Sequence, residues 1–252
     1  MAKQKGIIKL DGTIGGITFY KSTQDGYLAR EKGGVSADKI ANDPAFQRTR
    51  ENGEEFGRAG KAGKLLRNSI RAMLQNASDS RMVSRLTQKM VEVVQEDAVN
   101  PRGQRNVIDG EAELLAGFEF NISGKLGTTL YAPYSSTIDR VAGTLAVNIP
   151  AFVPLNMIAA PGGSTHFKIV SAGTEVDFEN ETFVVATSET AVLPWDTTAT
   201  AVITLSNAVT ANSVHPLFLA LGIEFYQEVN GQMYPLKNGA YNALALVKVD
   251  GN

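Results

Sequence analysis

Residues 217–236 read LFLALGIEFYQEVNGQMYPL. The pair Asn230-Gly231 separates two runs rich in aliphatic and aromatic side chains. A type I′ turn requires a positive φ at both central residues, and the Asn-Gly pair adopts that conformation readily. We therefore predict a β-hairpin in which residues 217–228 pair with residues 232–236.

The rest of residues 111–252 has the same character, because short runs rich in Val, Ile, Thr and Phe alternate with clusters of Gly, Pro, Asn and Ser. The other expected strands are 117–122, 144–149, 152–158, 165–171, 182–186, 200–205 and 244–249. No regular alternation of strands and helices appears, which argues against a parallel α/β sheet. This pattern predicts an antiparallel β-sandwich, either immunoglobulin-like or jelly-roll-like.

The N-terminal residues 1–37 predict a β-hairpin arm. Residues 6–20 read GIIKLDGTIGGITFY, in which Asp11-Gly12 predicts the turn and Gly15-Gly16 predicts a weakened or bulged second strand. A further extended piece, residues 27–30, follows a turn at Asp25-Gly26. So small an apolar set does not stabilise an isolated hairpin, so we expect the arm to contact either its own domain or a neighbouring subunit, and we favour the subunit. The expected contact residues of the arm are Ile14, Ile17, Phe19, Tyr20 and Tyr27.

Residues 38–110 predict an α-helical hairpin. Asn42 or Asp43 before Pro44 is typical of a helix start, because an Asx side chain caps the first turn and proline suits the first helical position. This first helix is expected to reach about residue 76. Ser78 or Asp79 is expected to cap the second helix, which runs to about residue 97. The apolar stripe of the second helix consists of Met82, Leu86, Met90 and Val93.

The first helix carries an unusual series of small residues. Gly53, Gly57 and Gly60 recur at the spacing of one helical face, although each glycine costs up to about 1 kcal/mol of helix stability relative to alanine. One interpretation, which we favour, is a continuous helix with a close-packing subunit contact on that face. The other is a break near residues 57–63. The basic residues on the same face are Lys64, Arg67 and Arg71.

Charge is divided unevenly along the chain. Residues 1–110 hold 19 Lys and Arg against 13 Asp and Glu, a net charge of +6, whereas residues 111–252 hold 5 against 13, a net charge of −8. Copies of the chain could therefore attract one another head to tail, or the basic half could face a polyanion. The simplest reading is that the helices carry more Lys and Arg than the strands do.

Signals for catalysis or metal binding are weak. The chain has no cysteine, and its two histidines, His166 and His215, lie 49 residues apart with no metal-binding motif around either. Residues 57–65 contain glycines and lysines but lack the first glycine of a phosphate-binding loop and the hydroxyl residue after its lysine. The acidic series Asp177, Glu179 and Glu181 is read as a solvated strand edge rather than a calcium site. We expect a non-enzymatic protein without cofactor or metal, and without a membrane-spanning segment.

Three segments carry a resemblance: residues 12–21 (GTIGGITFYK), residues 26–34 (GYLAREKGG) and residues 46–52 (FQRTREN). Together they resemble the N-terminal part of an uncharacterised group of small phage and prophage proteins of Bacteroidetes. The resemblance covers about the first 75 residues and brings no catalytic residue with it. It implies a role in the virion or in its assembly.

The expected function is therefore that of a bacteriophage structural protein of the head, neck or tail. Such a protein contacts copies of itself and other virion proteins, and resides in the virion after assembly in the host cytoplasm. One alternative is a surface- or carbohydrate-binding sandwich module, for which Trp195, Tyr226 and Tyr234 are the candidate aromatic platform. The other is a nucleic-acid-associated protein that uses the basic helical half.

Overall fold

The computed structural model describes residues 2–251, with the backbone alone for Lys237 and Asn238. It shows the expected α+β fold, with N-terminal strands, a helical hairpin region and C-terminal antiparallel sheets. The chain forms two compact units, one up to Arg50 and one from Glu51 onward. The division of the sequence at residues 37/38 and 110/111 stays a prediction.

The first unit contains an antiparallel sheet in the order β1-β4-β3-β2. Its strands are β1 (Ala2–Lys3), β2 (Gly12–Ile14), β3 (Ile17–Ser22) and β4 (Gly26–Glu31). The predicted turn at Asp11-Gly12 is wrong, because Ile14 pairs with Ile17 and the chain therefore reverses at Gly15-Gly16. Gly15 has a φ of 58°, which glycine adopts without steric cost.

The helical region begins with helix α1 (Ala37–Asn42) and a 3₁₀ turn (Pro44–Phe46). The Asx cap before Pro44 is confirmed, since the Asp43 side chain accepts a hydrogen bond from the Ala45 backbone N–H at 2.9 Å. Helix α2 (Gln47–Ser69) is continuous through its glycines, which confirms the continuous helix and rules out the break near residues 57–63. It ends before residue 76 because Ile70 leaves the helical conformation.

Two more helices follow, α3 (Arg71–Leu74) and α4 (Met82–Gln95). The second long helix starts later than predicted. The side chain of Asp79 accepts from the Arg81 N–H at 2.7 Å and so caps the turn that precedes α4. The expected apolar stripe of α4 is buried, as Met82, Leu86, Met90 and Val93 all lie in the core.

The remaining elements belong to the sandwich and its connections. The strands are β5 (Ser135–Asp139), β6 (Thr144–Ile149), β7 (His166–Asp177), β8 (Thr182–Glu189), β9 (Leu193–Pro194), β10 (Ile203–Ala208), β11 (Leu217–Val229), β12 (Gln232–Pro235) and β13 (Ala243–Asp250). The helical pieces are a 3₁₀ turn (Ala112–Leu115), α5 (Leu126–Thr129), α6 (Pro154–Met157) and a 3₁₀ turn (Leu236–Gly239). The predicted strand 152–158 is wrong, because Pro154 starts a helical turn there.

Two sheets form the sandwich. The larger one has the order β12-β11-β7-β8, with β13 pairing with β11 and β9 with β7, and the smaller one has the order β10-β6-β5. The predicted hairpin is confirmed: Val229 pairs with Gln232, and Asn230 and Gly231 have φ angles of 52° and 75°. Both angles are those of a type I′ turn.

Strand β11 lies between two hydrophobic layers. Its residues Leu219, Leu221 and Ile223 share a buried cluster with Leu145, Val147 and Ile149 of β6. The alternate residues Phe218 and Ala220 share the other cluster with Leu66 of α2 and with Leu86 and Met90 of α4. The larger sheet is thus covered by the smaller sheet on one face and by helices on the other.

The two sheets approach each other closely at Gly173 of β7. A Cβ atom added there would lie 2.8 Å from the Asn207 Cβ and 3.1 Å from the Leu145 Cβ, both on the smaller sheet. We expect Gly173→Ala to lower the free energy of unfolding by about 1–3 kcal/mol, because the sheets must separate to admit the methyl group. Urea denaturation measures this change. The control is Gly127→Ala, where no atom lies within 4 Å of the added methyl. Equal stability of the two variants would contradict the close approach.

Candidate subunit-contact surfaces

Strand pairing places four of the predicted contact residues on one face of the arm sheet. Ile14 is directly opposite Ile17, Phe19 is opposite Ala29 and Tyr27 is opposite Lys21. Directly opposed residues of antiparallel strands project to the same side, as do alternate residues of one strand. We call Ile14, Ile17, Phe19 and Tyr27 the apolar face of the arm.

Tyr20 lies on the opposite face, which differs from its predicted grouping with the other four. It pairs with Leu28 across the strands, and the guanidinium carbon of Arg30 is 5.2 Å from the centre of its ring. A cation over an aromatic ring is stabilised by the quadrupole of the ring. The opposite face therefore combines one buried leucine with polar and charged groups.

The apolar face is largely uncovered. Ile14 is 63% exposed and Ile17 is 47% exposed, whereas Phe19 and Tyr27 are half-buried. Among residues 2–50, Leu28 alone is buried. A single sheet has no second layer to cover its apolar side, so the arm exposes apolar groups that a contact with another molecule could cover.

The segment before β2 forms a loop that is held mainly by the side chain of Gln4. The Gln4 amide oxygen accepts from the Leu10 N–H at 2.8 Å, and its amide nitrogen donates to the Leu28 carbonyl at 3.0 Å. Ile7 and Ile8 project from this loop with exposures of 103% and 81%. Two adjacent isoleucines in water are a second apolar element of the arm.

The outer face of α2 carries the three predicted glycines. A Cβ added at Gly53, Gly57 or Gly60 would meet no atom within 4 Å. The packed glycine is instead Gly63, whose added Cβ would lie 3.6 Å from Met90 and 3.7 Å from Leu86 of α4. Gly53, Gly57 and Gly60 are thus not required for packing within this chain, and their role as a subunit contact stays a prediction.

The basic residues of α2 are arranged in two ways. Lys64 is exposed and Arg67 is half-buried on the helix, whereas the exposed Arg71 follows the interruption at Ile70. Arg58 is drawn to the loop after α4, because its guanidinium donates to the carbonyls of Gly103 and Arg105 at 2.6 and 3.1 Å. Of the predicted basic face, only Lys64 and Arg67 therefore lie on the continuous helix α2.

Sequence reasoning did not find a polar cluster between β7 and β11. The buried carboxylate of Glu224 accepts from the Tyr226 hydroxyl at 2.6 Å and from the Asn76 amide at 2.9 Å, and lies 3.5 Å from the Lys168 ammonium. Burial, together with the hydrogen bond to Glu224, raises the pKa of Tyr226 to about 12. Burial lowers the pKa of Lys168, but the neighbouring Glu189 and Glu224 outweigh it and raise the pKa above its usual range.

This cluster has a structural explanation. Each member has a partner of suitable charge or hydrogen-bonding type, and the raised pKa values of Lys168 and Tyr226 show that these partners stabilise the protonated forms that both groups hold at neutral pH. Asn76, just after α3, is thereby tied to the large sheet. No sequence pattern marks the cluster, because Asn76 and Lys168 are far from Glu224 and Tyr226 in the chain and only the folded sheet brings them together.

The other candidate groups do not converge. The His166 and His215 imidazoles lie 3.8 and 3.7 Å from single carboxylates, those of Glu228 and Asp177. Within residues 2–251, no three His, Asp or Glu side chains are grouped so that they could hold a metal ion. Residues 57–65 lie inside α2, where their backbone amides serve the helix and not a phosphate.

The three aromatic residues of the alternative binding platform are dispersed. Trp195 packs against the core between the sheets and donates to the Ile158 carbonyl at 3.3 Å. Tyr226 lies in the polar cluster on the helix-facing side, whereas the exposed Tyr234 pairs with Gln227, the next residue along β11. Because successive strand residues point to opposite faces, these rings do not form one platform.

Comparison with protein-family models, with curated proteins and with solved structures finds no match to this chain. Across residues 2–251, none of the helices combines the length and the apolar character needed to cross a membrane.

The open space beside Gly57 yields a prediction. We expect Gly57→Ala to raise the free energy of unfolding of the isolated chain by about 0.8–1 kcal/mol, since alanine favours the helix and meets no neighbour. If the glycine face is a subunit contact, the same substitution weakens self-association. Urea denaturation and light scattering at matched concentrations measure the two effects. Improved stability with unchanged association would show that this face stays in solvent.

Proposed function

We propose that this protein is a non-enzymatic structural subunit of a bacteriophage particle, which assembles with copies of itself and with other virion proteins. The observation that carries the proposal is the exposed apolar face of the arm, with Ile14 and Ile17 about half or more in water. The arm is the part of the chain with the fewest buried groups, because Leu28 alone is buried among residues 2–50.

Covering the apolar face of the arm with a second surface would be energetically favourable. Burying a large aliphatic or aromatic side chain contributes about 1.5–3 kcal/mol, and Ile14, Ile17 and Phe19 lie side by side on the arm. A second surface that covered them would gain several such contributions at once. Subunits of an assembly supply such a surface at every copy, and this favours self-association over a role as a solitary domain.

The assignment to a phage particle rests on the resemblance of about the first 75 residues to phage and prophage proteins. On this ground we propose that the protein resides in the virion, after assembly in the host cytoplasm, in a head, neck or tail position. The separation of charge, +6 in residues 1–110 and −8 in residues 111–252, supports contact between unlike halves of neighbouring copies.

The alternatives have less support. A carbohydrate-binding module needs adjacent exposed rings, and Trp195, Tyr226 and Tyr234 are dispersed. A nucleic-acid-binding role needs a longer basic track than Lys64 and Arg67 provide, and Arg58 is occupied by backbone carbonyls.

A pair of substitutions in the arm tests self-association through its apolar face. We expect Ile14→Lys to weaken assembly by about tenfold or more, because it places a charge in the apolar face. Thr23→Lys adds the same charge at an exposed residue in the turn between β3 and β4, and should leave assembly unchanged. Light scattering coupled to size-exclusion chromatography measures the mass of each variant.

Two results would contradict the proposal. A full-length chain that stays monomeric at about 100 μM would remove the basis for self-assembly, since that concentration detects even weak association. Proteomic analysis of purified particles, from a phage or prophage that encodes the chain, should find it at many copies. Its absence from such particles would contradict the virion role while leaving self-association intact.

A further inference from the structure

Strand β8 (Thr182–Glu189) is the last strand of the large sheet. One side of it pairs with β7 over its whole length, from Thr182 opposite Asp177 to Glu189 opposite Val170. On its other side no strand of residues 2–251 is hydrogen-bonded to it. The outward-facing amide and carbonyl groups of alternate β8 residues therefore lack a strand partner within the described residues, and β10 lies beside the end of β8, where the Ser188 hydroxyl donates to the Asn207 side chain at 3.0 Å.

Three exposed side chains of β8 are apolar, whereas edge strands commonly carry residues that prevent pairing with another strand. Phe183, Val184 and Val185 are consecutive and are each 38–44% exposed. Proteins commonly protect long edge strands with lysine, proline or a bulge, because an open edge recruits another strand. The sequence of β8, TFVVATSE, contains neither lysine nor proline, and its pairing with β7 is unbroken. Such an edge is suited to β-strand addition.

We propose that the β8 edge of one copy binds the arm of a second copy by β-strand addition, with the chain around β2 as the added strand. This inference rests on the proposed function and names the surface that receives the arm. Strand β2 is the corresponding edge of the arm sheet, since it pairs with β3 alone. Joining the two edges would make one continuous sheet across two subunits.

The segment before β2 supplies the length that the pairing needs. Residues 6–14 span about 30 Å when extended, and the eight residues of β8 span about 26 Å. Ile8, Leu10 and Ile14 alternate, so an extended strand places all three on the apolar face of the arm. Ile8 is 81% exposed in the single chain, and pairing would give it a covered position.

Charge favours this occupant over a neutral or acidic one. Residues 169–236, which include β8, contain eight Asp and Glu and no Lys or Arg. Residues 1–32 contain six Lys and Arg against three Asp and Glu. Glu179 and Glu181 are exposed just before β8, where they attract the lysines of an incoming arm.

The first experiment places a protecting lysine on the edge. We expect Val184→Lys to raise the dissociation constant of the assembly about tenfold or more, measured by light scattering over a dilution series. The control Val141→Lys adds the same charge at a valine that is 71% exposed between β5 and β6, and should assemble normally. Circular dichroism melting of each variant verifies that it is folded.

The second experiment detects the contact directly, and the absence of native cysteine makes it simple. Thr13→Cys and Val184→Cys chains are mixed and treated with a short bis-maleimide. We expect a crosslinked species of twice the chain mass that contains both variants, and little of it when Val141→Cys replaces Val184→Cys. This experiment also serves as a second readout if Val184→Lys does not fold.

The outcomes separate this inference from the proposed function. An oligomeric chain in which Val184→Lys assembles normally, with no Thr13–Val184 crosslink, would overturn β8 docking and leave self-assembly standing. A full-length chain that is monomeric throughout the dilution series would overturn both. Loss of assembly in Val184→Lys together with the specific crosslink supports the docking.

Discussion

The architecture depends on the burial of β11 on both of its faces. Every residue from Leu217 to Phe225 is buried, so the large sheet cannot face water on either side. The smaller sheet covers one face through residues such as Val147, and helices α2 and α4 cover the other through Leu66 and Met90. These layers explain why the helices share a core with the sheet. The polar cluster at Glu224 lies at the margin of the helix-covered face, where its buried carboxylate is fully hydrogen-bonded.

The arm, by contrast, leaves most of its apolar residues exposed, and this exposure supports the proposed function. From Glu51 onward the chain buries apolar residues between layers, whereas the arm sheet is one layer with Leu28 as its single buried residue among residues 2–50. Ordering the backbone of one residue costs about 1–2 kcal/mol, and few buried groups offset this cost in the arm. We therefore infer that association with another subunit stabilises it. The β8 edge, which has no strand partner on one side among residues 2–251, offers apolar side chains and nearby carboxylates for such an association.

The sequence predicted features that are decided locally. The Asn230-Gly231 turn was predictable because the φ requirement is a property of those two residues, and the cap at Asp43 was predictable for the same reason. The turn at Gly15-Gly16 was missed because Asp11-Gly12, a few residues earlier, carries an equally strong local signal, and only strand pairing distinguishes them. The exposed β8 edge could not be predicted, because an edge strand is one that lacks a pairing partner on one side. A sequence does not show which strands pair. The face of the arm sheet on which Tyr20 lies likewise depends on the pairing register of its strands.

The most direct test of the account is a comparison of the full chain with a chain lacking residues 1–32, by light scattering and urea denaturation. We predict that the truncated chain is a folded monomer, because the two buried hydrophobic clusters on either face of the large sheet contain no residue before Ala59. The full chain should form a larger assembly under the same conditions. A truncated chain that unfolds as a monomer, or that assembles as well as the full chain, would contradict the claim that the arm serves subunit contact.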